Sequence, residues 1–367
     1  MTGLFPDWDS LLGTAETLIY LVSHPVLQSL PKLPFRHAHM VTQAEIALKL
    51  GVSRQLVTFA LADYPQVSKK SKARILAAAL EMGYRPNPHA RALKSHKTGI
   101  IALWIPDQIS THYTHVAREL SRLIKSSGSE LIISEVGVSD MKHIWSHVPV
   151  DGIVAVDAST EVQLELDALA AKSVPLVSIG TYLGAGTDHV RVDFEAGTRE
   201  IMAHLIGSGF RRIAHATFVR KDHAKRSRYH GYVQAMKNAK LKPEFIYYPL
   251  TERQRPVTRQ LIQDYIRENG KPEAIFCHSD DVALGIYRGL CDAGISVPNE
   301  IALVGCDGIE DTEYLERPIT TLVQPVAEMC ATAWRFLQQR LNNPKAPPQQ
   351  ILLSPRLDIR ESSTRAV

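Results

Sequence analysis

From residue 99 onward, short apolar runs alternate with amphipathic helical segments almost to the end of the chain. Strand patterns stand at 99–105, 130–136, 152–156, 175–180, 211–218, 244–248, 273–277 and 300–305, with a closing one near 350–360. Helical patterns stand at 112–127, 140–147, 161–172, 195–208, 226–239, 255–269, 280–293 and 326–341. A nearly continuous apolar strand is one buried on both faces, and helices between successive strands make the pairing parallel. About 260 residues of this rhythm exceed one sheet. The expectation is therefore an α/β core of two doubly wound parallel-sheet lobes, preceded by a small all-α headpiece.

The headpiece announces itself by charge. Residues 41–98 hold ten Lys or Arg against three Asp or Glu, whereas 99–367 hold 30 basic and 32 acidic residues. A basic module joined to a neutral body suggests a polyanion partner. Four cysteines stand far apart, without a CxxC pair, which gives no support to a zinc knuckle and fits a reducing cytoplasm. No run is long and apolar enough to span a membrane, so no membrane partner is expected. Residues 1–40 read as an N-terminal extension without recognisable chemistry or an export signal, and Met40 is an alternative start.

Within 41–85 the punctuation is that of three short helices. Thr42 followed by Glu45 makes a capping box for a helix over 43–50, and Gly51 ends it. Ser53 caps a second helix over 54–61, with Val57 and Leu61 facing inward. Ser68 caps a third over 69–82, with Ile75, Leu76, Ala79 and Leu80 at helical spacing. The tight Gly51 turn between the first two makes a helix-turn-helix, whose second helix enters the major groove. The positions that would reach base edges are Arg54, which suits guanine, and Gln55, which suits adenine. Residues 86–98 form a linker in which Asn87 caps a short helix beginning at Pro88.

Three stretches, VTQAEIALKLGVSRQLVT (41–58), YPQVSKKSKARI (64–75) and GYRPNPHARAL (83–93), resemble the headpiece and hinge of the lactose/galactose repressor (LacI/GalR) family. The likeness continues collinearly through VDGIV (150–154), GFRRIA (209–214), RYHGY (228–232), SDDVALG (279–285), VPNEIALVGCD (297–307), TTLVQP (320–325) and RESS (360–363). The resemblance implies a periplasmic-binding-protein-like core over 99–363. Lobe one would be about 99–181 and 320–346, and lobe two 182–319 and 347–361. It further implies a homodimer on a near-palindromic duplex operator, with Thr42, Ser53, Arg54, Gln55, Thr58, Phe59, Asn87 and Arg91 at the DNA. Leu93 would wedge into the minor groove. A chain end soon after the core, without a heptad tail, favours a dimer. The sequence departs from the family at Phe59, where a polar residue is usual, at Ala62-Asp63 in place of Asn-Gly, at Ser279 in place of Asn, and in a shortened 135–151.

A small polar effector, a sugar or related metabolite, is expected between the lobes, beyond the carboxyl ends of the strands. Its candidate contacts are Asp107, Tyr113, Arg228, Asp280 and Asp307. No G-x-G-x-x-G follows the first strand and no P-loop or nucleophile–base pair is present, so neither an enzyme nor a cofactor is expected. His143 and His147 lack a third ligand for a metal. A two-lobed solute-binding protein is the rival reading, and the basic headpiece speaks against it.

Overall fold

A computed structural model describes residues 41–85, 97–106, 108–136, 149–158, 160–171, 174–180, 187–219, 227–251 and 253–364. The chain divides into two compact units, with the boundary between residues 87 and 88. The expected extension, the hinge segment 86–96 and the helix at 140–147 lie outside the described residues.

The first unit holds three helices, α1 (Gln43–Leu50), α2 (Arg54–Leu61) and α3 (Lys69–Glu81). Each begins where a side chain satisfies an orphan N–H. The Thr42 hydroxyl accepts from the Glu45 amide and the Glu45 carboxylate accepts from the Thr42 amide at 2.7 Å. Ser53 accepts from Leu56 and Ser68 from Ser71, each at 3.2 Å. Gly51 closes α1 in the left-handed region at φ 63°, which a Cβ would strain. Ile46, Ala47, Val57, Ala60, Val67, Ile75, Ala78 and Ala79 make the core. Leu76 and Leu80, expected inside, are instead 43% and 84% exposed. Small Ala78 and Ala79 occupy the inner face of α3, where the helices approach closely.

The second unit contains two six-stranded sheets. The chain runs β1 (Ile100–Ile105), α4 (Thr111–Ser126), β2 (Glu130–Glu135), β3 (Gly152–Val156), α5 (Thr160–Ala171), β4 (Leu176–Ile179), β5 (Asp188–Val192), α6 (Phe194–Gly207) and β6 (Ile213–Thr217). It continues through α7 (Ser227–Asn238), β7 (Glu244–Tyr247), α8 (Gln254–Asn269), β8 (Ala274–Cys277), α9 (Asp280–Asp292), β9 (Ala302–Asp307) and β10 (Thr320–Val323). Last come α10 (Val326–Asn342), β11 (Gln350–Leu353) and β12 (Arg356–Asp358). Sheet one has the order β11-β5-β4-β3-β1-β2 and is wholly parallel; sheet two has the order β12-β10-β9-β8-β6-β7, with only β12 antiparallel. Both sheets are covered on both faces. Helices α4 and α10 bury Val116, Leu120, Phe336 and Leu337 on one side of sheet one, and α5 buries Val162 and Leu166 on the other. On sheet two, α6 and α7 contribute Ile201, Met202, Tyr232 and Met236, and α8 and α9 contribute Ile262, Val282 and Ile286. Helices α8 and α9 meet almost backbone to backbone: a Cβ on Gly285 or Gly289 would stand 2.4 Å from the carbonyl oxygen of Arg255 or Arg259.

The doubly wound lobes are as expected, but their boundaries shift. Strand β5, assigned by sequence to lobe two, pairs with β4 in sheet one, and β10, assigned to lobe one, pairs with β9 in sheet two. The closing strand resolves into β11 and β12, one in each sheet. The chain therefore crosses between lobes at Asp193, at Gln324-Pro325 and at Ser354-Pro355, each time after a strand has completed its sheet.

Candidate nucleic-acid interface and ligand cleft

In the first unit, the first turn of α2 presents Arg54 and Gln55 to solvent. Among the described residues neither side chain has a hydrogen-bond or ion-pair partner, so their donors are free for a partner from outside. Thr42 and Ser53, also expected at the DNA, are occupied as N-caps, though both are exposed. Thr58 turns its hydroxyl inward, donating to Gln43 Oε1 at 2.8 Å. Phe59 departs from the expected contact group. Its ring packs against the headpiece core, 5.0 Å from the Tyr64 ring, and this packing accounts for an apolar residue there. Asp63, at φ 59°, takes the left-handed turn after α2 and pairs with Lys72, while Lys69 and Lys70 remain exposed. Asn87, Arg91 and Leu93 lie outside the described residues.

The second unit brings polar groups together where strands of both sheets end. Asp307 is the last residue of β9, and Asp157, His278 and Gln324 each follow a strand by one position. Arg228 sits in the first turn of α7, and His112 and Tyr113 in the first turn of α4. The Arg228 guanidinium donates through Nε to Cys306 Sγ at 3.2 Å and through Nη2 to Asp307 Oδ1 at 3.4 Å. Its Nη1 stands 3.4 Å from His278 Nε2, and its carbon lies 3.5 Å from the centre of the Phe194 ring. Gln324 Nε2 donates to the same Asp307 oxygen at 2.7 Å. Oδ2 of Asp307 thus receives no hydrogen bond among the described residues. Tyr113 donates to Asp157 Oδ2 at 3.4 Å. Asp157, at φ 42°, takes the left-handed region that aspartate tolerates, whereas Asp307, at φ 132°, holds a conformation rare for an L-residue, and such strain concentrates at binding sites.

Burial governs the charges. It pushes the Asp307 carboxyl up to about 7, against the pull of Arg228. Burial also opposes the charge on Arg228, but Cys306 and Asp307 beside it more than compensate, and its pKa is raised. Burial holds His112 down to about 4, so its imidazole is neutral near pH 7. The cleft therefore offers acceptors on Asp307 and Asp157, donors on Arg228, and the Tyr113 ring. That set suits a ligand rich in hydroxyls.

The same rim ties the lobes together. From lobe two, Arg255 Nη2 donates to Thr111 Oγ1 at 3.1 Å while its Nε and Nη1 pair with Asp281 at 2.8 Å and Asp311 at 3.2 Å. From lobe one, Ser110 donates to Asp281 at 3.1 Å.

Asp280 corrects the expectation. Its side chain is fully buried, with Oδ2 accepting from the Gly308 and Ile309 amides at 2.7 and 2.9 Å and Oδ1 from Thr321 at 2.7 Å. It braces the turn after β9 and presents no oxygen to a ligand. Asp107 lies outside the described residues, whereas Arg228 and Asp307 meet directly and Tyr113 reaches Asp157. Sequence reading missed His112, Asp157, Phe194, His278 and Gln324. Three of these occupy the position directly after a strand; that rule would have found Asp157 and His278, but not Gln324, whose strand β10 the sequence pattern does not show. Among the described residues no group of three metal-ligating side chains converges, and no helix is long and apolar enough to cross a membrane.

Against known proteins, residues 42–87 match the profile "Bacterial regulatory proteins, lacI family", and 202–363 match "Periplasmic binding protein-like domain". The ribose operon repressor of Haemophilus influenzae is 27% identical over 332 residues, covering 88% of this chain and 98% of that protein. Among solved structures, a lac repressor dimer bound to operator and an anti-inducer is 22% identical. It covers 89% of this chain and 100% of its own, with a TM-score of 0.76. A LacI family regulator from Enterococcus faecium with bound ribose is also 22% identical. It covers 72% of this chain and 98% of its own, with a TM-score of 0.64.

Proposed function

Because the chain belongs to the LacI/GalR family of bacterial regulatory proteins, we propose that its two units work as an operator-reading headpiece and a ligand-responsive core. The protein is a sequence-specific DNA-binding transcriptional regulator of the repressor class, under the control of a small effector. The observation that carries the reading is the exposed pair Arg54 and Gln55 on the first turn of a capped helix-turn-helix, in a strongly basic unit. Both side chains are of the types that make bidentate contacts to purine edges in the major groove. Two copies related by two-fold symmetry read a near-palindrome, because two identical recognition helices demand two identical half-sites. The protein acts in the cytoplasm, where the DNA is, and carries out binding rather than catalysis.

The effector is a sugar or similar polyol seated on Asp307 and Arg228. Its hydroxyls donate to Asp307 Oδ2 and Asp157, and its apolar face lies on Tyr113. The ribose operon repressor and the ribose-bound regulator support a ligand of this chemistry. Ligand contacts that differ between two arrangements of the lobes shift the population of the one that grips DNA.

Selection of duplexes from a random pool by the full-length chain tests the first half. A near-palindromic motif is expected, bound with an affinity that falls steeply with salt as Lys and Arg displace counterions. Enrichment of no motif would refute it.

A further inference from the structure

The headpiece contains a hydrogen-bonded chain that its DNA-contacting role does not by itself require. Gln43, the first residue of α1, is half-buried at the crossing of α1 and α2. Its Oε1 accepts from Thr58 Oγ1 at 2.8 Å, and its Nε2 donates to the Tyr84 hydroxyl at 3.1 Å. Thr58 lies in α2, and Tyr84 follows the end of α3, where its amide is fixed to the Ala79 carbonyl at 2.8 Å. One amide thus ties the start of α1, the middle of α2 and the exit from α3. We propose that Gln43 is a positioning residue for base recognition: through Thr58 and Tyr84 it sets the roll of α2, and so the base edges that Arg54 and Gln55 meet. The inference rests on α2 being the base-reading helix.

The geometry gives the amide leverage. Thr58 has one hydroxyl proton and two acceptors within reach, Gln43 Oε1 and, at 3.0 Å, the Arg54 carbonyl of its own helix. The second alternative leaves the half-buried Gln43 oxygen unpaired, which costs free energy, so the inward bond is favoured. Thr58 is also one helical turn from Arg54, on the same face. A roll of α2 that breaks the Gln43 bond therefore turns Arg54 as well. An Arg tip roughly 6 Å from the helix axis moves by ~2 Å for a 20° roll, well beyond the ~0.5 Å a preorganised contact tolerates. An apolar residue at 43 would fill the same space without holding that angle.

The experiment selects from random duplex DNA with the full-length chain and five kinds of variant: Gln43→Leu, Thr58→Val, Tyr84→Phe, Gln43→Glu, and the single alanine changes of Arg54 and Gln55 that mark the positions each reads. Circular dichroism confirms that each variant keeps its helix. The expected result is that Gln43→Leu flattens base preference at those marked positions by about fivefold or more, with Thr58→Val and Tyr84→Phe relaxing the same positions less. Gln43→Glu accepts from both hydroxyls and should keep the profile, while binding every sequence more weakly because it adds a negative charge near phosphate. A uniform loss for Gln43→Leu, without change of profile, would overturn the proposal. So would a new position lost in Gln43→Leu alone, which makes Gln43 itself a base reader. A wild-type chain with no preference overturns the base-reading helix, and this inference with it.

Discussion

Two aspartates at strand and helix ends, drawn from one residue type, have opposite duties. Asp280 accepts two hydrogen bonds from the turn after β9 and one from Thr321 of β10, and is closed to solvent. Asp280→Ala strands the buried Ile309 amide, the half-buried Gly308 amide and the buried Thr321 hydroxyl. At about 1–3 kcal/mol for each unsatisfied group, it should lower the core's unfolding free energy by at least ~3 kcal/mol in urea. A loss under ~1 kcal/mol would contradict the bracing role. Asp307 is also buried, but its Oδ2 receives no hydrogen bond among the described residues, and burial lifts its carboxyl from 3.8 to about 7. Between those values the folded chain binds the proton more tightly than the unfolded one, so this group takes stability away as pH rises from 4 to 7. Asp307→Asn mimics the protonated form. It should match wild type below about pH 4, gain relative stability as pH rises from about 4 to 7 and hold that gain above 7, read from urea midpoints across that range. In the headpiece, Arg54→Ala should cost about 1–3 kcal/mol on the selected site and relax one base position. An equal loss on all sequences would place Arg54 on phosphate.

At the scale of elements, the first turn of α4 is the jaw of lobe one. Ser110 and Thr111 grip Asp281 and Arg255 across the cleft, and Tyr113, two residues on, faces the ligand groups. Arg255 stands on α8, which the glycines of α9 hold at close quarters, so its guanidinium has a rigid base. Arg255→Ala should speed amide hydrogen exchange in 110–116 without changing it in α9. Faster exchange in both would mean that the helix pair had loosened instead. The same scale separates what was legible in the sequence from what was not. Helices α1 to α3 were legible because their caps are local, each set by residues within three positions. Strands β5 and β10 were not, because their buried polar residues find partners far along the chain. Asp188 is neutralised by a bidentate pair with Arg340, and Thr320 and Thr321 are satisfied by Ser362, Ser363 and Asp280. The inner face of α3 was misread for a related reason: the closeness of a helix crossing, which selects alanine over leucine, is a tertiary fact. Motif and strand end together singled out Arg228 and Asp307, whose side chains meet at 3.4 Å, whereas position alone singled out Asp280 and does not reveal what already occupies a carboxylate.

The whole molecule couples two functions that use separate residues, and this separation makes the account testable. The proposed ligand groups belong to one compact unit and the proposed base-reading groups to the other, so a change at Asp307 should silence the response without weakening the grip on DNA. The measurement is operator affinity of the full-length chain by fluorescence anisotropy, with and without each member of a panel of sugars, sugar phosphates and nucleobases, for wild type and Asp307→Ala. One polyol should change wild-type affinity by about fivefold or more, in the usual range of allosteric coupling. Asp307→Ala should show no change, with a ligand-free affinity near that of wild type. A ligand that shifts both proteins equally would contradict this expectation.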